Sequence, residues 1–187
     1  MARVTYAMGV SLDGYITDAD GDFSWGAPDD ALHRHYNERT RGLRAFVFGR
    51  RVYELMEPYW PQVARDASAG EVEGEFARIY VGIPRFVVSD SLREVPDGVT
   101  LVRRADARAL VERLKGTGDG RLGIGGATLA ASLFDLIDEL ELRVSPVLVG
   151  GGTPYFPPLR HRADLRLVES RTLSGVVLLR YERVRSG

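Results

Sequence analysis

Glycines and arginines that could bind phosphate groups follow directly after strand-like apolar segments. Ile124 leads into Gly125-Gly126-Ala127-Thr128, where two glycines precede a helical pattern. Backbone N–H groups at such a strand-to-helix turn can hold a pyrophosphate at the helix N-terminus. The glycines could equally form only a tight turn, and this motif alone leaves both interpretations open. The motif differs from the GxGxxG fingerprint of a Rossmann domain, which needs a first βα unit and a later acidic residue.

A second candidate anion site is Gly49-Arg50-Arg51, which follows the apolar segment Ala45–Phe48. Guanidinium groups bind phosphate through paired hydrogen bonds, so two adjacent arginines could hold a terminal phosphate. The alternative is a solvated basic helix start, which adjacent arginines often form. Cations at a helix N-terminus oppose the helix dipole, however, and this opposition favours an anion between them.

Asp30 is the candidate for acid–base chemistry. It lies one turn into a predicted helix, after a loop that contains Trp25. A partly buried carboxylate there could hydrogen-bond the ring nitrogen and the exocyclic amine of a heterocycle. On this evidence alone, an ordinary helix-dipole role shared with Asp29 is favoured. His33 and His35 are two positions apart and face different directions, so they form no metal pair and no metal is expected.

The segment Pro146–Phe156 contains three consecutive glycines, Gly150-Gly151-Gly152, and ends in an aromatic pair. Such a loop permits a ligand to approach the backbone closely. It could equally be a β-bulge or a flexible turn, with the two aromatic rings packed on the core.

The elements that must position these residues are expected to form one domain, residues 1–187. With 44% hydrophobic residues and no dividing stretch rich in Pro, Ser or charge, the chain can form one substantial core. Its 25 Lys and Arg residues balance 26 Asp and Glu residues, which argues against a nucleic-acid or anionic-lipid surface. The sequence shows no cysteine, no signal-peptide core and no apolar run of membrane-spanning length. We therefore expect a cytoplasmic protein that binds neither nucleic acid nor membrane.

Short apolar runs alternate with helical patterns through most of the chain, and the last part contains strands only. The pattern predicts five helices, from about Pro28 to Arg41, Arg50 to Glu57, Val72 to Tyr80, Ala107 to Gly116 and Ala127 to Leu140. It predicts eight strands, at Val4–Val10, Ala45–Phe48, Phe86–Val88, Val99–Val102, Leu122–Ile124, Leu142–Val149, Leu165–Val168 and Val176–Tyr181. This order favours an α/β fold with a mixed, mostly parallel sheet, helices on both faces and an antiparallel C-terminal edge. Ligands of such sheets bind beyond the carboxyl ends of the strands.

Taken in order, the motifs resemble those of the dihydrofolate reductase-like superfamily. The matching segments are Ser11-Leu12-Asp13-Gly14-Tyr15-Ile16, Asp20-Gly21 with Trp25, Gly49–Glu54, Gly125-Gly126-Ala127 and Val149–Pro154. The branch that the chain resembles is the C-terminal domain family of the bifunctional deaminase-reductase of bacterial riboflavin biosynthesis. The resemblance spans almost the whole chain.

This resemblance implies a dihydrofolate reductase-like three-layer α/β/α fold around a sheet of about eight strands, with a cleft for NADPH. The residues implied to contact NADPH are Ala7 and Ile16 at the nicotinamide, Ile124, Gly125, Gly126, Ala127 and Thr128 at the pyrophosphate, Ser89 at the ribose, and Gly49, Arg50 and Arg51 at the 2′-phosphate. The resemblance also makes a homodimer plausible.

On the substrate side, the resemblance assigns Asp30 as the carboxylate that binds the heterocycle. Asp13, Trp25 and Thr153 are implied as further substrate contacts, with Thr153 supporting the hydrogen-bond network of the carboxylate. Two departures from the family patterns stand out. Val52 occupies a position where dihydrofolate reductases usually have a hydroxyl residue, and Gly49–Glu54 replaces the Asp-x-Pro segment of the riboflavin reductases.

The resemblance therefore implies hydride transfer from NADPH to a C=N or C=O carbon of a pyrimidine- or pterin-like heterocycle. Reduction of 5-amino-6-(5-phosphoribosylamino)uracil is the example from riboflavin biosynthesis. Asp30 would anchor the substrate and relay a proton, and the loop of residues 11–25 would act as a lid. The alternatives are dihydrofolate reductase activity, a non-catalytic NADPH sensor, or a scaffold whose surface around Tyr59 and Trp60 contacts other proteins.

Overall fold

Ten strands are present in the computed structural model, which describes residues 1–156, 158, 159 and 161–184. In chain order they are β1 (Arg3–Ser11), β2 (Tyr15–Thr17), β3 (Leu43–Gly49), β4 (Arg85–Val88), β5 (Val99–Val102), β6 (Arg121–Gly125), β7 (Glu139–Ser145), β8 (Thr153–Pro154), β9 (Leu165–Leu173) and β10 (Val176–Arg183). Eight of them form one sheet in the order β5-β4-β3-β6-β1-β7-β10-β9, and β2 pairs with β8 separately. The sheet is parallel from β5 to β7 and antiparallel at β10 and β9. The predicted mixed sheet with an antiparallel C-terminal edge is confirmed.

Six α-helices connect these strands within the described residues. They are α1 (Asp30–Arg41), α2 (Arg50–Met56), α3 (Trp60–Val63), α4 (Glu71–Gly82), α5 (Ala107–Gly116) and α6 (Ala127–Ser132). The sequence predicts α1, α2, α4 and α5 to within about two residues at each end. It does not predict the one-turn helix α3 or the short pair formed by β2 and β8.

The prediction of a helix from Ala127 to Leu140 is wrong. The helix ends at Ser132, and Leu140 lies in β7, which begins at Glu139. The spacing of Leu129, Leu133, Ile137 and Leu140 fits a helical period, so the prediction extends the helix into β7. Polar and apolar residues nevertheless alternate from Glu139 to Ser145, as they do in a strand. The strand was also predicted to run to Val149, yet it ends at Ser145 because the following Pro146 has no N–H group to continue the ladder.

Residues of β1 point alternately to the two faces of the sheet. Val4, Tyr6 and Val10 pack against α5 and α6 in the largest apolar cluster. Thr5, Ala7, Gly9 and Ser11 point to the opposite face, which we call the α1 face. There, α4 packs on the phenylalanines of β3, and α1 packs on β10 through Leu32.

Along the α1 face, the register places Glu139, Glu141, Arg143 and Ser145 of β7 opposite Thr5, Ala7, Gly9 and Ser11 of β1, respectively. The first two rows form the amino-end half of this face and the last two rows form its carboxyl-end half. The helices of the described residues include none that is both long enough and apolar enough to cross a membrane.

Candidate active site

Two strand-to-helix turns lie side by side at the carboxyl ends of β3 and β6. The first residue before each helix is a glycine, Gly49 for α2 and Gly126 for α6, and no side chain in the described part of the chain caps either helix. A Cβ placed on Gly126 would lie 3.8 Å from the Gly49 backbone nitrogen. Helix starts carry N–H groups with no partner inside the helix, so the two turns present such groups at one place.

At the turn after β6, the backbone conformation requires Gly126 and the packing requires Gly125. Gly126 has a φ of +104°, which side chains rarely adopt, and a Cβ there would lie 3.4 Å from Cγ2 of Val52. A Cβ on Gly125 would lie 2.6 Å from Cδ1 of Phe48. Val52 therefore packs against the glycine turn, and this packing accounts for an apolar residue at the position where the family pattern has a hydroxyl.

Arg50 and Ser89 belong to one small hydrogen-bonded group beside these turns. Ser89 is buried, and its Oγ accepts hydrogen bonds from the backbone N–H groups of Ser91 (3.2 Å) and Leu92 (3.1 Å). Arg50 Nη1 donates to Ser91 Oγ (3.3 Å). Ser89 thus supports the loop after β4, and the exposed hydroxyl that faces Arg50 belongs to Ser91.

Arg103 and Arg104, which the sequence analysis missed, extend this cationic edge beyond β5. Arg103 Nη1 donates to the carbonyl oxygens of Ser89 (3.1 Å) and Leu92 (3.0 Å), and Arg104 Nε lies 3.5 Å from Asp90 Oδ2. Both arginines follow an apolar strand directly, as Arg50 does, and that position is the signal that could have identified them.

Ala7 and Gly9 form an open part of the α1 face. Both residues are half-buried, and a Cβ built on Gly9 meets no described atom within 4 Å. Ile16, the other residue expected near the nicotinamide, is half-buried in β2 and packs against the main apolar cluster. Gly9 was not predicted as a site residue, although its place in a strand among larger residues indicates a close approach.

The loop of residues 11–25 is attached to the triple-glycine loop at several points. Asp13 accepts hydrogen bonds from the backbone N–H groups of Val149 (3.2 Å) and Gly150 (2.8 Å). A hydrogen bond with the Ser11 side chain is the main cause that holds the pKa of Asp13 below its ordinary value, and these two backbone N–H groups add to it. Because its two oxygens already have partners, Asp13 fastens the lid rather than presenting a carboxylate to a ligand.

Thr153 also connects the lid to the triple-glycine loop. Its hydroxyl oxygen lies 3.1 Å from the hydroxyl oxygen of Thr17, in the pair formed by β8 and β2. A Cβ on Gly152 would overlap the carbonyl oxygen of Thr17, so only glycine fits that crossing. The expectation that Thr153 supports the hydrogen-bond network of Asp30 is not met, because its hydroxyl bonds to Thr17 instead.

Asp30 is not the partly buried carboxylate that the sequence analysis expects. Its side chain is 81% exposed and lies 4.0 Å from the guanidinium of Arg34, one helical turn away. The neighbouring Asp29 caps α1 by accepting from the Leu32 N–H group (2.9 Å), and it also accepts from Ser174 Oγ (2.8 Å). Since Asp29 takes the cap position, Asp30 points away from the sheet, as the helix-dipole interpretation requires.

Trp25 lies in a single 3₁₀ turn, Ser24–Gly26, beside the carboxyl end of β7. A Cβ on Gly26 would lie 3.9 Å from Ser145 Oγ, which places this turn on the α1 face. The indole Nε1 of Trp25 is buried and has no hydrogen-bond partner among the described residues. An unpaired buried donor is unusual and calls for an explanation.

Arg143 is a second buried donor on this face that the sequence analysis missed. Its guanidinium carbon lies 4.2 Å from the ring centroid of Tyr36, and its Nη2 donates to Glu141 Oε1 at 3.4 Å. Its Nε is buried and has no partner in the described part of the chain. The signal in the sequence is the alternation of polar residues, Glu139, Glu141, Arg143 and Ser145, within a segment that is otherwise apolar.

The amino-end half of the α1 face holds a closed network of charges. Arg39 donates to Glu141 Oε2 (Nε, 3.0 Å; Nη2, 2.7 Å) and to Glu139 Oε1 (3.0 Å), and Arg180 donates to Glu139 Oε2 (3.3 Å). Burial alone would raise the pKa of Glu141, but the guanidinium groups of Arg143 and Arg39 hold it below its ordinary value. Both carboxylates are therefore already paired with arginines.

The strand order, the antiparallel C-terminal strands and the helices on both faces define the class of α/β proteins that contains dihydrofolate reductase. Dihydrofolate reductase from Enterococcus faecalis has the same fold, with a TM-score of 0.58 at 14% identity over 97% of this chain and 96% of that one. Within this class, the chain belongs to the RibD C-terminal domain family, whose model matches residues 2–179. The recognition made from the ordered motifs is confirmed.

Two curated proteins illustrate this relationship. The uncharacterized protein YyaP of Bacillus subtilis is 25% identical over 182 residues, which cover 96% of this chain and 94% of that protein. The 2,5-diamino-6-ribosylamino-4(3H)-pyrimidinone 5′-phosphate reductase of Methanothermobacter thermautotrophicus is 26% identical over 167 residues, which cover 76% of each chain. The family and this relative support a reductase.

Proposed function

We propose that this protein is an NADPH-dependent reductase that transfers a hydride to a substrate that contains a pyrimidine- or pterin-like heterocycle. The observation that carries the proposal is the pair of uncapped glycine turns at the carboxyl ends of β3 and β6, next to the open strand surface at Ala7 and Gly9. Anions bind at helix starts of this kind, and ligands of open α/β sheets bind at the carboxyl ends of the strands.

The residues at the two turns suit the phosphates of NADPH. The glycine turn after Ile124 would hold the pyrophosphate through backbone N–H groups of Gly125–Thr128. Glycine is needed there because a Cβ on Gly125 would lie 2.6 Å from Cδ1 of Phe48 and because Gly126 has a φ of +104°. Gly49, Arg50 and Arg51 would hold the 2′-phosphate, with Arg103 and Arg104 adding positive charge at the same edge.

The remaining cofactor contacts follow from the same placement. The loop that Ser89 supports would lie along the ribose, and the nicotinamide would lie between Ala7 and Ile16. NADPH would supply the hydride at this position. The chain itself would orient the two rings, and the lid that Asp13 and Thr153 fasten would exclude water from them.

For the substrate, Trp25 is the predicted contact that the geometry supports best, because it lies on the α1 face with an unused donor. The proposed anchoring by Asp30 would require its exposed side chain to turn toward the sheet. In the dihydrofolate reductases that the motifs resemble, a helix carboxylate at this position binds the pterin, and the exposed Asp30 therefore does not favour a pterin substrate. A pyrimidine of the riboflavin pathway, 5-amino-6-(5-phosphoribosylamino)uracil, is therefore our first candidate substrate. In this substrate the hydride would go to C1 of the ribosyl group in its ring-opened C=N form, and the pyrimidine would be the part that the protein binds.

The proposal is tested by titrating the protein with NADPH and NADH and then following NADPH oxidation with candidate substrates. The panel is 5-amino-6-(5-phosphoribosylamino)uracil, 2,5-diamino-6-ribosylamino-4(3H)-pyrimidinone 5′-phosphate and dihydrofolate. We expect tight NADPH binding and oxidation with one of the two pyrimidines. Saturable NADPH binding with no oxidation across the panel would favour a sensor, and failure to bind either dinucleotide would overturn the proposal.

A further inference from the structure

On the α1 face, Arg39 and Arg180 donate hydrogen bonds to buried glutamates, whereas Arg143 makes one long hydrogen bond and has a buried N–H donor without a partner among the described residues. We propose that Arg143 is the residue that recognises the substrate, by donating hydrogen bonds to an acceptor on it such as a carbonyl oxygen. This inference rests on the proposed function, and it assigns to an arginine the role that family resemblance gives to the carboxylate of Asp30.

Arg143 lies where a substrate next to the nicotinamide would lie. It stands opposite Gly9 in the register of β7 and β1, one row beyond the pair formed by Ala7 and Glu141. Gly9 leaves the space above it open, since a Cβ there would meet no described atom within 4 Å. The side chain of Arg143 is 19% exposed, so the guanidinium borders this space without being fully solvated.

The guanidinium of Arg143 uses little of its hydrogen-bonding capacity. A guanidinium has five N–H donors. Among the described residues its single hydrogen bond is the long one from Nη2 to Glu141 Oε1, at 3.4 Å, whereas Arg39 makes three shorter bonds to the same pair of glutamates. Leaving donors of a mostly buried cation unsatisfied is costly, and a ligand acceptor would remove that cost.

Two neighbours hold Arg143 in place. The ring of Tyr36 lies 4.2 Å from the guanidinium carbon, a cation–π distance, and Glu141 compensates the charge on the other side. A cation that is held in this way loses little conformational freedom when a ligand binds. Tyr36 is therefore a positioning residue for Arg143.

In the carboxyl-end half of the face, the buried polar atoms that have no partner among the described residues are donors, and they define the chemistry of the ligand. Arg143 and the indole Nε1 of Trp25 both have unused donors, whereas the carboxylates of Glu139 and Glu141 already accept bonds from arginines. Carbonyl oxygens satisfy such donors, but the amino groups of a diaminopyrimidine or a pterin do not. The arrangement thus selects the oxo-bearing edge of a pyrimidine.

The alternative is that Arg143 only neutralises Glu141. That role would affect stability and would leave ligand affinity unchanged, so binding to the folded, NADPH-loaded protein separates the two possibilities. The probe is 5-amino-6-ribitylaminouracil, which carries two oxo groups and no phosphate. Its matched analogue has both oxo groups replaced by amino groups.

The variants are Arg143→Met, Arg143→Lys and, as a control, Arg171→Met. Arg171 lies in the same cross-strand row of the sheet, on the far side of Leu178, and is half exposed. We expect Arg143→Met to weaken binding of the uracil probe by about tenfold to a hundredfold, the range of one charge-assisted hydrogen bond. Arg143→Lys should recover part of the affinity, while Arg171→Met and the NADPH affinity of all variants should match the wild type.

Wild-type binding of the uracil probe should also exceed binding of the diamino analogue by at least about tenfold. Unchanged uracil affinity in Arg143→Met, or a wild-type preference for the diamino analogue, would overturn the inference while leaving the proposed function intact. Loss of NADPH binding by the wild type would instead overturn the proposed function. If Arg143→Met does not fold, Tyr36→Leu replaces it. Removal of the ring that positions Arg143 should also lower the affinity for the uracil probe.

Discussion

Both halves of the α1 face hold partly buried arginines, but these arginines differ in how many hydrogen bonds they make within the protein. In the amino-end half, Arg39 donates to the buried Glu139 and Glu141, and Arg180 donates to Glu139, so these charges form a network. In the carboxyl-end half, Arg143 has a buried donor without a partner among the described residues and stands opposite Gly9, where the space is open. Trp25, in the turn next to Ser145, has a second such donor. The comparison indicates that the first half maintains the fold and that the second half is built to receive a ligand.

The largest effect on stability is expected in the amino-end half. Arg39→Met would leave Glu139 and Glu141, whose side chains are 4% and 7% exposed, with fewer partners for their charges. Breaking a buried pair in this way destabilises a protein by about 3 kcal/mol or more. Urea unfolding measures the change.

Arg171→Met is the matched control in the same network of strands. Its side chain is 43% exposed, so its removal should change the free energy of unfolding by no more than about 0.5 kcal/mol. Equal losses for the two variants would contradict the division of the face into a structural half and a binding half.

The next largest effects are expected at the glycine turn after β6. Gly126→Ala should lower NADPH affinity at least about tenfold and destabilise the fold by about 1–3 kcal/mol, because a side chain is strained at a φ of +104°. Isothermal titration and urea unfolding measure the two effects. Gly82→Ala is the control, since a Cβ there meets no described atom within 4 Å. Unaltered NADPH affinity in Gly126→Ala would place the pyrophosphate elsewhere.

The double variant Arg50→Ala with Arg51→Ala addresses cofactor choice. We expect its preference for NADPH over NADH to fall by about tenfold, because charge-assisted hydrogen bonds to the 2′-phosphate are lost. The binding constants of both dinucleotides are compared with those of the wild type. A preserved preference would assign the 2′-phosphate to Arg103 and Arg104, and the corresponding double variant would then lose it.

A smaller effect concerns the acid stability of the amino-end half. The pKa of Glu141 is held below its ordinary value of 4.5, so its charged form stabilises the folded state. This contribution is complete above about pH 4.5 and is lost as the pH falls through the lowered pKa of the folded protein. Between neutral and acidic pH, the free energy of unfolding should therefore change less with pH in Glu141→Gln than in the wild type. If the free energy of unfolding varied with pH equally in both proteins, the charged form of Glu141 would not contribute to stability as described.

The smallest effect is expected at Asp30. Because its side chain is 81% exposed, Asp30→Asn should leave stability within about 0.5 kcal/mol, whereas Asp29→Ala, which removes the helix cap, should cost about 1 kcal/mol. Turnover of Asp30→Asn is the sharper measurement. Turnover close to that of the wild type would leave Asp30 as a helix-dipole residue, while a fall of about a hundredfold would restore it as the proton relay.

Much of the fold could be predicted from the sequence because apolar runs and turn residues mark the strands and helices locally. The prediction failed at Ile137 and Leu140 because their spacing from Leu129 and Leu133 continues a helical period, although the alternation of polar and apolar residues that marks β7 begins at Glu139. The pairing of β2 with β8 depends on residues that lie more than a hundred positions apart, and no local pattern indicates it.

The candidate site was predicted unevenly for a similar reason. The glycine turns are local features, and the structure brings Gly49 and Gly126 together as expected. Which of two adjacent aspartates caps α1 depends on the angle at which the helix starts, so the burial of Asp30 could not be inferred from its position. Arg143 could not be identified from the sequence, because only the structure shows that its guanidinium is mostly buried with a donor that has no partner among the described residues.

The central claim is tested most directly by a structure of the protein with NADPH and 5-amino-6-ribitylaminouracil. The account predicts that the pyrophosphate accepts hydrogen bonds from the N–H groups at Gly126 and Ala127, and that an oxo group of the pyrimidine accepts one from Arg143. A pyrophosphate bound away from the glycine turn, or a pyrimidine held by Asp30 with Arg143 still bonded only to Glu141, would contradict it.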